Sequence, residues 1–135
     1  MKLDQRLLGY ISTFETITKA DVKDCFVNKN DQVVFVVKQE QGGKAIGKGA
    51  ANVRRIERMF QRKIKIIEFN ENVVEFVKNV IYPLKSPEIT LDGDKVIIRT
   101  DTTYLKALLL GRDKANLKEL QSLVSKYFNV KIEIN

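Results

Sequence analysis

The sequence predicts an α+β fold, an α/β sandwich built twice over, and three observations carry the prediction. A segment recurs 64 positions apart, as Ile46-Gly47-Lys48-Gly49-Ala50-Ala51-Asn52-Val53 and Leu110-Gly111-Arg112-Asp113-Lys114-Ala115-Asn116-Leu117. Around each copy the apolar spacing switches between helical and strand-like periods in one order, α-β-β-α-α-β. Between the halves only Asn70 and Glu71 have linker character, with no Gly/Ser or Pro-rich stretch to permit free rotation. A repeat constrains the fold before any local reading does. The expected units are residues 1–69 and 70–135. Units of about 65 residues lie near the lower limit for independent cores, so the pair is expected to pack as one rigid unit.

Each element follows from its residues. Leu3, Leu7, Leu8, Ile11 and Phe14 fall at helical spacing and predict a helix over 3–14. Strand-like runs follow at 22–27 and 32–37, joined by Asn28-Lys29-Asn30-Asp31, a sequence of turn composition. A short helical turn is expected over 40–46. Beyond the glycines, Val53, Ile56, Met59 and Phe60 mark the inward face of a helix over 51–62, and 64–69 closes the unit as a strand. In the second half, Val73, Val74, Phe76, Val77, Val80 and Ile81 predict a helix stopped by Pro83, which cannot extend it. A hairpin over 88–91 and 95–99 turns at Asp92-Gly93-Asp94. Residues 104–110 read as a short helix, 115–127 as a longer one with Leu117, Leu120, Leu123, Val124 and Phe128 inward, and 130–134 as the final strand.

Composition limits what such a fold can do. With 44% apolar and 30% charged residues the chain is globular. Met1-Lys2-Leu3-Asp4-Gln5-Arg6 is charged where a signal peptide would be apolar, and no run approaches the length of a membrane span, so a soluble, cytoplasmic protein with no membrane partner is expected. The single cysteine, Cys25, precludes an internal disulfide, and beside Phe26 and Val27 it reads as a small buried residue. No histidine is present, which removes the commonest general base and metal ligand. Asp92 and Asp94 read as turn formers, not a metal pair. No catalytic residue, metal or cofactor is predicted.

The net charge of +7 is concentrated. Lys44, Lys48, Arg54, Arg55, Arg58, Arg62, Lys63 and Lys65 share one segment with a single acid, Glu57, and the rest of the chain is neutral. Charge gathered in so short a stretch implies an anionic partner. It follows the first loop directly. Glycine there allows unusual dihedrals and close backbone approach, and the unpaired N–H groups opening the next helix favour anions. On that helix Arg54, Arg58 and Arg62, spaced four apart, are expected to form one stripe away from the core face. Asn52 and Asn116 hold equivalent places in the first helical turn, either to contact a base or sugar or to bond locally to exposed N–H groups. Phe60 and Phe128 are expected in the core.

A basic loop between two helices, in a unit with a three-stranded sheet, resembles the KH domain, whose Gly-X-X-Gly loop clamps about four nucleotides of single-stranded nucleic acid. With a helix and strand in front, each unit is similar to the type II arrangement, giving two tandem type II KH domains. Two nearly abutting units of this kind resemble the archaeal NusA-like transcription factors over about residues 3–134. The matches are Ala45 to Gly49 with Asn52-Val53, and Leu110 to Asp113 with Asn116-Leu117. The resemblance implies an RNA-contacting set of Lys44, Ile46, Gly47, Lys48, Gly49, Ala50, Asn52, Arg54, Arg55, Arg58 and Arg62, and in the second unit Gly111, Arg112, Asp113, Lys114, Asn116 and Lys118. It also implies single-stranded RNA as partner, a nascent transcript or rRNA leader, together with RNA polymerase.

The chain departs from the family at the fourth loop position, where glycine is usual and Ala50 and Lys114 stand instead. Alanine is small, so the first change is expected to be mild. Lys114 adds bulk and charge, and Asp113 sets an acid beside the expected phosphate. The first unit is therefore expected to bind more strongly. A ribosome-associated or assembly role, and a degenerate KH pair used for protein interaction, are the alternative readings.

Overall fold

A computed structural model describes residues 5–135. The described residues fall into two compact units, one ending at Phe69 and the other spanning Asn70–Asn135. Each has the order α-β-β-α-α-β with a tight 3-10 turn between its second and third helices.

In the first unit α1 spans Gln5–Thr18, four residues beyond the predicted end, while predicted Leu3 lies outside the described residues. The apolar pattern is interrupted at Glu15-Thr16, yet both belong to the helix. Glu15 accepts from the Val22 N–H at 2.9 Å, tying the helix end to the next strand. The helix stops where Lys19 turns left-handed at φ 62°. The strands β1 (Val22–Val27) and β2 (Val33–Val37) pair antiparallel, Cys25 opposite Phe35. Between them Asn28 accepts from the N–H groups of Asn30 and Gln32, so the turn is held by its own asparagine. After α2 (Gly42–Ile46) and α3 (Ala51–Phe60) the chain returns as β3 (Ile64–Glu68), parallel to β2.

The first core is built from aromatic rings on α1, β2 and α3. Phe14 stacks on Phe35 with centroids 4.1 Å apart, and Tyr10 meets Phe60 at 4.3 Å. Leu7, Ala45, Ile56 and Ile64 join it, and Cys25 is buried there outside any disulfide. Phe60 is thus a core residue, as expected. Met59 is not: it is 54% exposed. At about 100° per residue it lies roughly a quarter-turn from the Val53/Ile56/Phe60 arc, too far to reach the sheet.

The second unit repeats the plan. Its first helix, α4 (Val73–Ile81), is capped by Asn72, which accepts from the N–H groups of Val74 and Glu75. The hairpin β4 (Glu88–Asp92) and β5 (Lys95–Arg99) turns tightly through Gly93 at φ 63°. Then follow α5 (Thr103–Leu110), α6 (Ala115–Ser125) and β6 (Lys131–Ile134), with β6 parallel to β5. Phe76 anchors this core, touching Tyr127 and Phe128 at 5.8 Å each.

One position outside the loops also repeats. Glu57 on α3 accepts from the Ile64 N–H at 2.9 Å, closing the connection to the last strand. Gln121, 64 residues on, accepts from the Ile132 N–H at 2.7 Å and donates to the Val130 carbonyl at 3.0 Å. The only acid of the basic segment is therefore engaged in closing its own unit.

Truncating Phe35, fully buried and ring-stacked, should destabilise the protein by about 3–5 kcal/mol. Urea denaturation of Phe35→Ala against the parent measures this, and a loss below about 1 kcal/mol would contradict the packing described.

Candidate nucleic-acid interface

Both glycine loops adopt one backbone. Gly47 has φ 80° and ψ 164°, Gly111 φ 73° and ψ 172°. That region is open almost solely to glycine. The third and fourth loop positions are left-handed in both copies: Gly49 (60°, 27°) and Ala50 (61°, 29°), against Asp113 (54°, 30°) and Lys114 (61°, 25°). The Ala50 N–H donates to the Gly47 carbonyl at 3.0 Å, and Lys114 repeats this to Gly111 at 3.1 Å.

Asparagine holds the loop closed. Asn52 Nδ2 donates to the Lys44 carbonyl at 3.0 Å, and Asn116 Nδ2 to the Leu108 carbonyl at 2.7 Å. Each side chain reaches back from the new helix to the old one. The bond runs to a carbonyl and not to the local N–H groups, one of the two roles open from the sequence, so it joins two helices where a cap would serve only one. It also explains the first glycine a second time. A Cβ on Gly47 would lie 3.0 Å from the Asn52 amide, and one on Gly111 only 2.6 Å from that of Asn116.

The Ala50 departure is corrected by this geometry. The position is left-handed at φ 61°, which alanine resists by about 1 kcal/mol or more, so the change is a backbone strain and not a mild one. Asp113 gains a structural reason, since aspartate tolerates the left-handed region better than most residues. The N–H groups of Ala50 and Ala51 are spent inside the turn, which narrows the anion-facing donors expected from sequence.

The basic segment is brought together in part. Arg54, Arg55 and Arg58 are exposed on the outer side of α3, and no acid among the described residues pairs with them. Arg54 turns back to donate to the Gly49 carbonyl, carrying its charge to the loop. Lys44, Ile46 and Lys48 are exposed on the other side of the turn. Arg62 leaves the stripe. The helix ends at Phe60 and Gln61 turns left-handed, so Arg62 no longer follows Arg58. Its guanidinium, with the side chain 17% exposed, pairs with Asp31 at 2.8 Å. In the second unit Arg112, Asp113, Lys114 and Lys118 are exposed around the equivalent turn.

In the first unit a preformed backbone turn thus has exposed cations beside it and a three-arginine helix face leading from it, and in the second unit a turn of the same backbone has exposed Arg112, Lys114 and Lys118 around it. Among the described residues no group of three or more Asp, Glu or Cys side chains could hold a metal ion, and no helix is long and apolar enough to cross a membrane.

The sequence profile of the KH domain family matches residues 9–96. Among curated proteins, a relative from Methanococcus vannielii named "Probable transcription termination protein NusA" is 30% identical over 97% of this chain and 77% of its own length. One of the same name from Halobacterium salinarum is 26% identical over 96% of this chain and 94% of its own. A solved crystal structure matches with TM-score 0.71 at 25% identity, covering 98% of this chain and 100% of that one.

Relieving the left-handed positions should stabilise the protein: Ala50→Gly and Lys114→Gly are each expected to add about 0.5–1 kcal/mol. Gly47→Ala and Gly111→Ala should cost more than about 1 kcal/mol each, the second more because its Cβ meets Asn116 more closely. Thermal melts of the four variants check this, and unchanged stability in both alanine variants would exclude the clamp as described.

Proposed function

This chain belongs to the KH domain family, and from that premise we propose that it is a non-catalytic, single-stranded RNA-binding protein of the NusA type, acting in transcription elongation, termination or antitermination. The observation that carries the reading is the first loop running directly into the Arg54/Arg55/Arg58 face of α3, in a segment that holds the chain's whole net charge. Phosphates positioned along α3 meet guanidinium groups, and the exposed turn lets the backbone approach a strand closely. The names of the archaeal relatives support transcription as the setting, with a nascent transcript or rRNA leader as ligand and RNA polymerase as partner.

Lys44, Lys48, Arg54, Arg55 and Arg58 then contact phosphate, while exposed Ile46 offers apolar surface to a base. Gly47, Gly49 and Ala50 form the approach surface. Asn52 and Asn116 act by holding the turn. Arg112, Lys114 and Lys118 give the second unit a weaker version of the same charge, with Asp113 opposing it.

The test is the salt dependence of binding to an unstructured RNA. Each phosphate contact on a single strand contributes about 0.7 to the log–log salt slope. Arg54→Ala/Arg58→Ala should therefore weaken binding and flatten the slope by about 1.4. Arg62→Ala should leave the slope alone and lower stability by up to about 1 kcal/mol through its Asp31 pair. Undiminished affinity with an unchanged slope in the double variant would sink the phosphate-track reading.

A further inference from the structure

The second unit presents an apolar stripe that the first lacks. On α5, Tyr104 is 74% exposed and Leu108 is 36% exposed. Residues four apart share a helix face, and this face leads into the Gly111 turn. At the positions 64 earlier stand Glu40 and Lys44, both charged and exposed. The duplicate has thus exchanged two charges for an aromatic ring and an aliphatic chain. The ring is also well placed. Thr102 caps α5 by accepting from the Leu105 N–H at 3.0 Å, fixing the helical turn that carries Tyr104. From Tyr104 to Gly111 the helix rises about 10 Å, within reach of a clamp on about four nucleotides.

The surroundings decide what such a ring would meet. Lys106, Arg112, Lys114 and Lys118 are all exposed on α5, the turn and α6, against the exposed acids Asp101 and Asp113. A protein-docking face is depleted in lysine, whereas single-strand binders combine a cationic track with an aromatic face on which a base can stack. Stacking tolerates any base, since each has a π-face.

We propose that Tyr104, flanked by Leu108, is a stacking platform for a nucleobase of RNA held at the Gly111 turn. The proposal rests on the RNA-binding reading above and deepens it. In the first unit the grip on RNA is to phosphates, through Arg54, Arg55 and Arg58. In the second, poorer in charge, it is to a base.

The two grips differ in their response to salt, and that separates them. With an unstructured oligonucleotide, Tyr104→Ala should bind about tenfold more weakly with an unchanged salt slope, since no phosphate contact is lost. Tyr104→Phe should retain the parent affinity, because the ring and not the hydroxyl makes the contact. Tyr104→Trp introduces the only tryptophan of the chain, and its fluorescence should be quenched as RNA is added. If the parent protein binds no RNA, both the platform and the reading beneath it fall. If the parent binds, Tyr104→Ala binds equally well and the Tyr104→Trp variant shows no quenching, the platform alone is overturned. Loss of a protein partner in Tyr104→Ala at unchanged RNA affinity would overturn it likewise.

Discussion

A single hydrogen bond made twice shapes the glycine turn of both units. An asparagine in the first turn of one helix donates its side-chain amide to a carbonyl near the end of the preceding helix, eight residues back. The amide crowds the space a Cβ would need at the first loop position, so any residue but glycine is strained there. Glycine in turn permits the dihedral that reverses the chain between the helices. Asparagine, glycine and reversal are one device. It explains how two loops sharing only that glycine among their four residues arrive at the same backbone, within about 10° at each of the three positions compared.

The electrostatics of the first unit depend on where its one acid goes. Glu57 lies among eight cations in sequence, yet its carboxylate accepts from the Ile64 N–H and lies 3.9 Å from Lys63 at the far end of α3. Arg54, Arg55 and Arg58 are left without an acidic partner among the described residues. A carboxylate engaged beyond the helix end makes no ion pair with the arginines of the outer face. In the second unit the same position is Gln121, neutral and able to donate as well as accept, and it ties down two backbone groups of a longer connection.

The order of elements was legible in the sequence because apolar period and turn composition are local properties. The repeat at 64 positions, the helix stopped before Pro83 and the hairpin at Gly93 all left direct marks on the residues. The candidate site was legible only in outline. Arg62 fits an i, i+4, i+8 stripe on paper, but the helix ends two residues earlier, where Gln61 turns left-handed, and no residue type there announces the break. Met59 fits the apolar count and fails the angular one. Ala50 reads as harmless because its size is visible in the sequence and its φ is not. The Asn52 bond spans two helices, so it belongs to their packing, and sequence showed only that the asparagine recurs. Tyr104 is marked in the sequence only as the start of a helix; its exposure is a tertiary fact.

Beyond Gly49 there is open space, with no atom within 4 Å of where a Cβ would stand. The shape of the turn is therefore set from behind, by glycine and asparagine, while its tip is released from any packing duty. After duplication such a tip can drift without endangering the fold, and the two copies display the result: Lys48-Gly49-Ala50 in one, Arg112-Asp113-Lys114 in the other. A turn that separates the residues making its shape from those at its tip lets one chain carry two different tip chemistries on the same backbone.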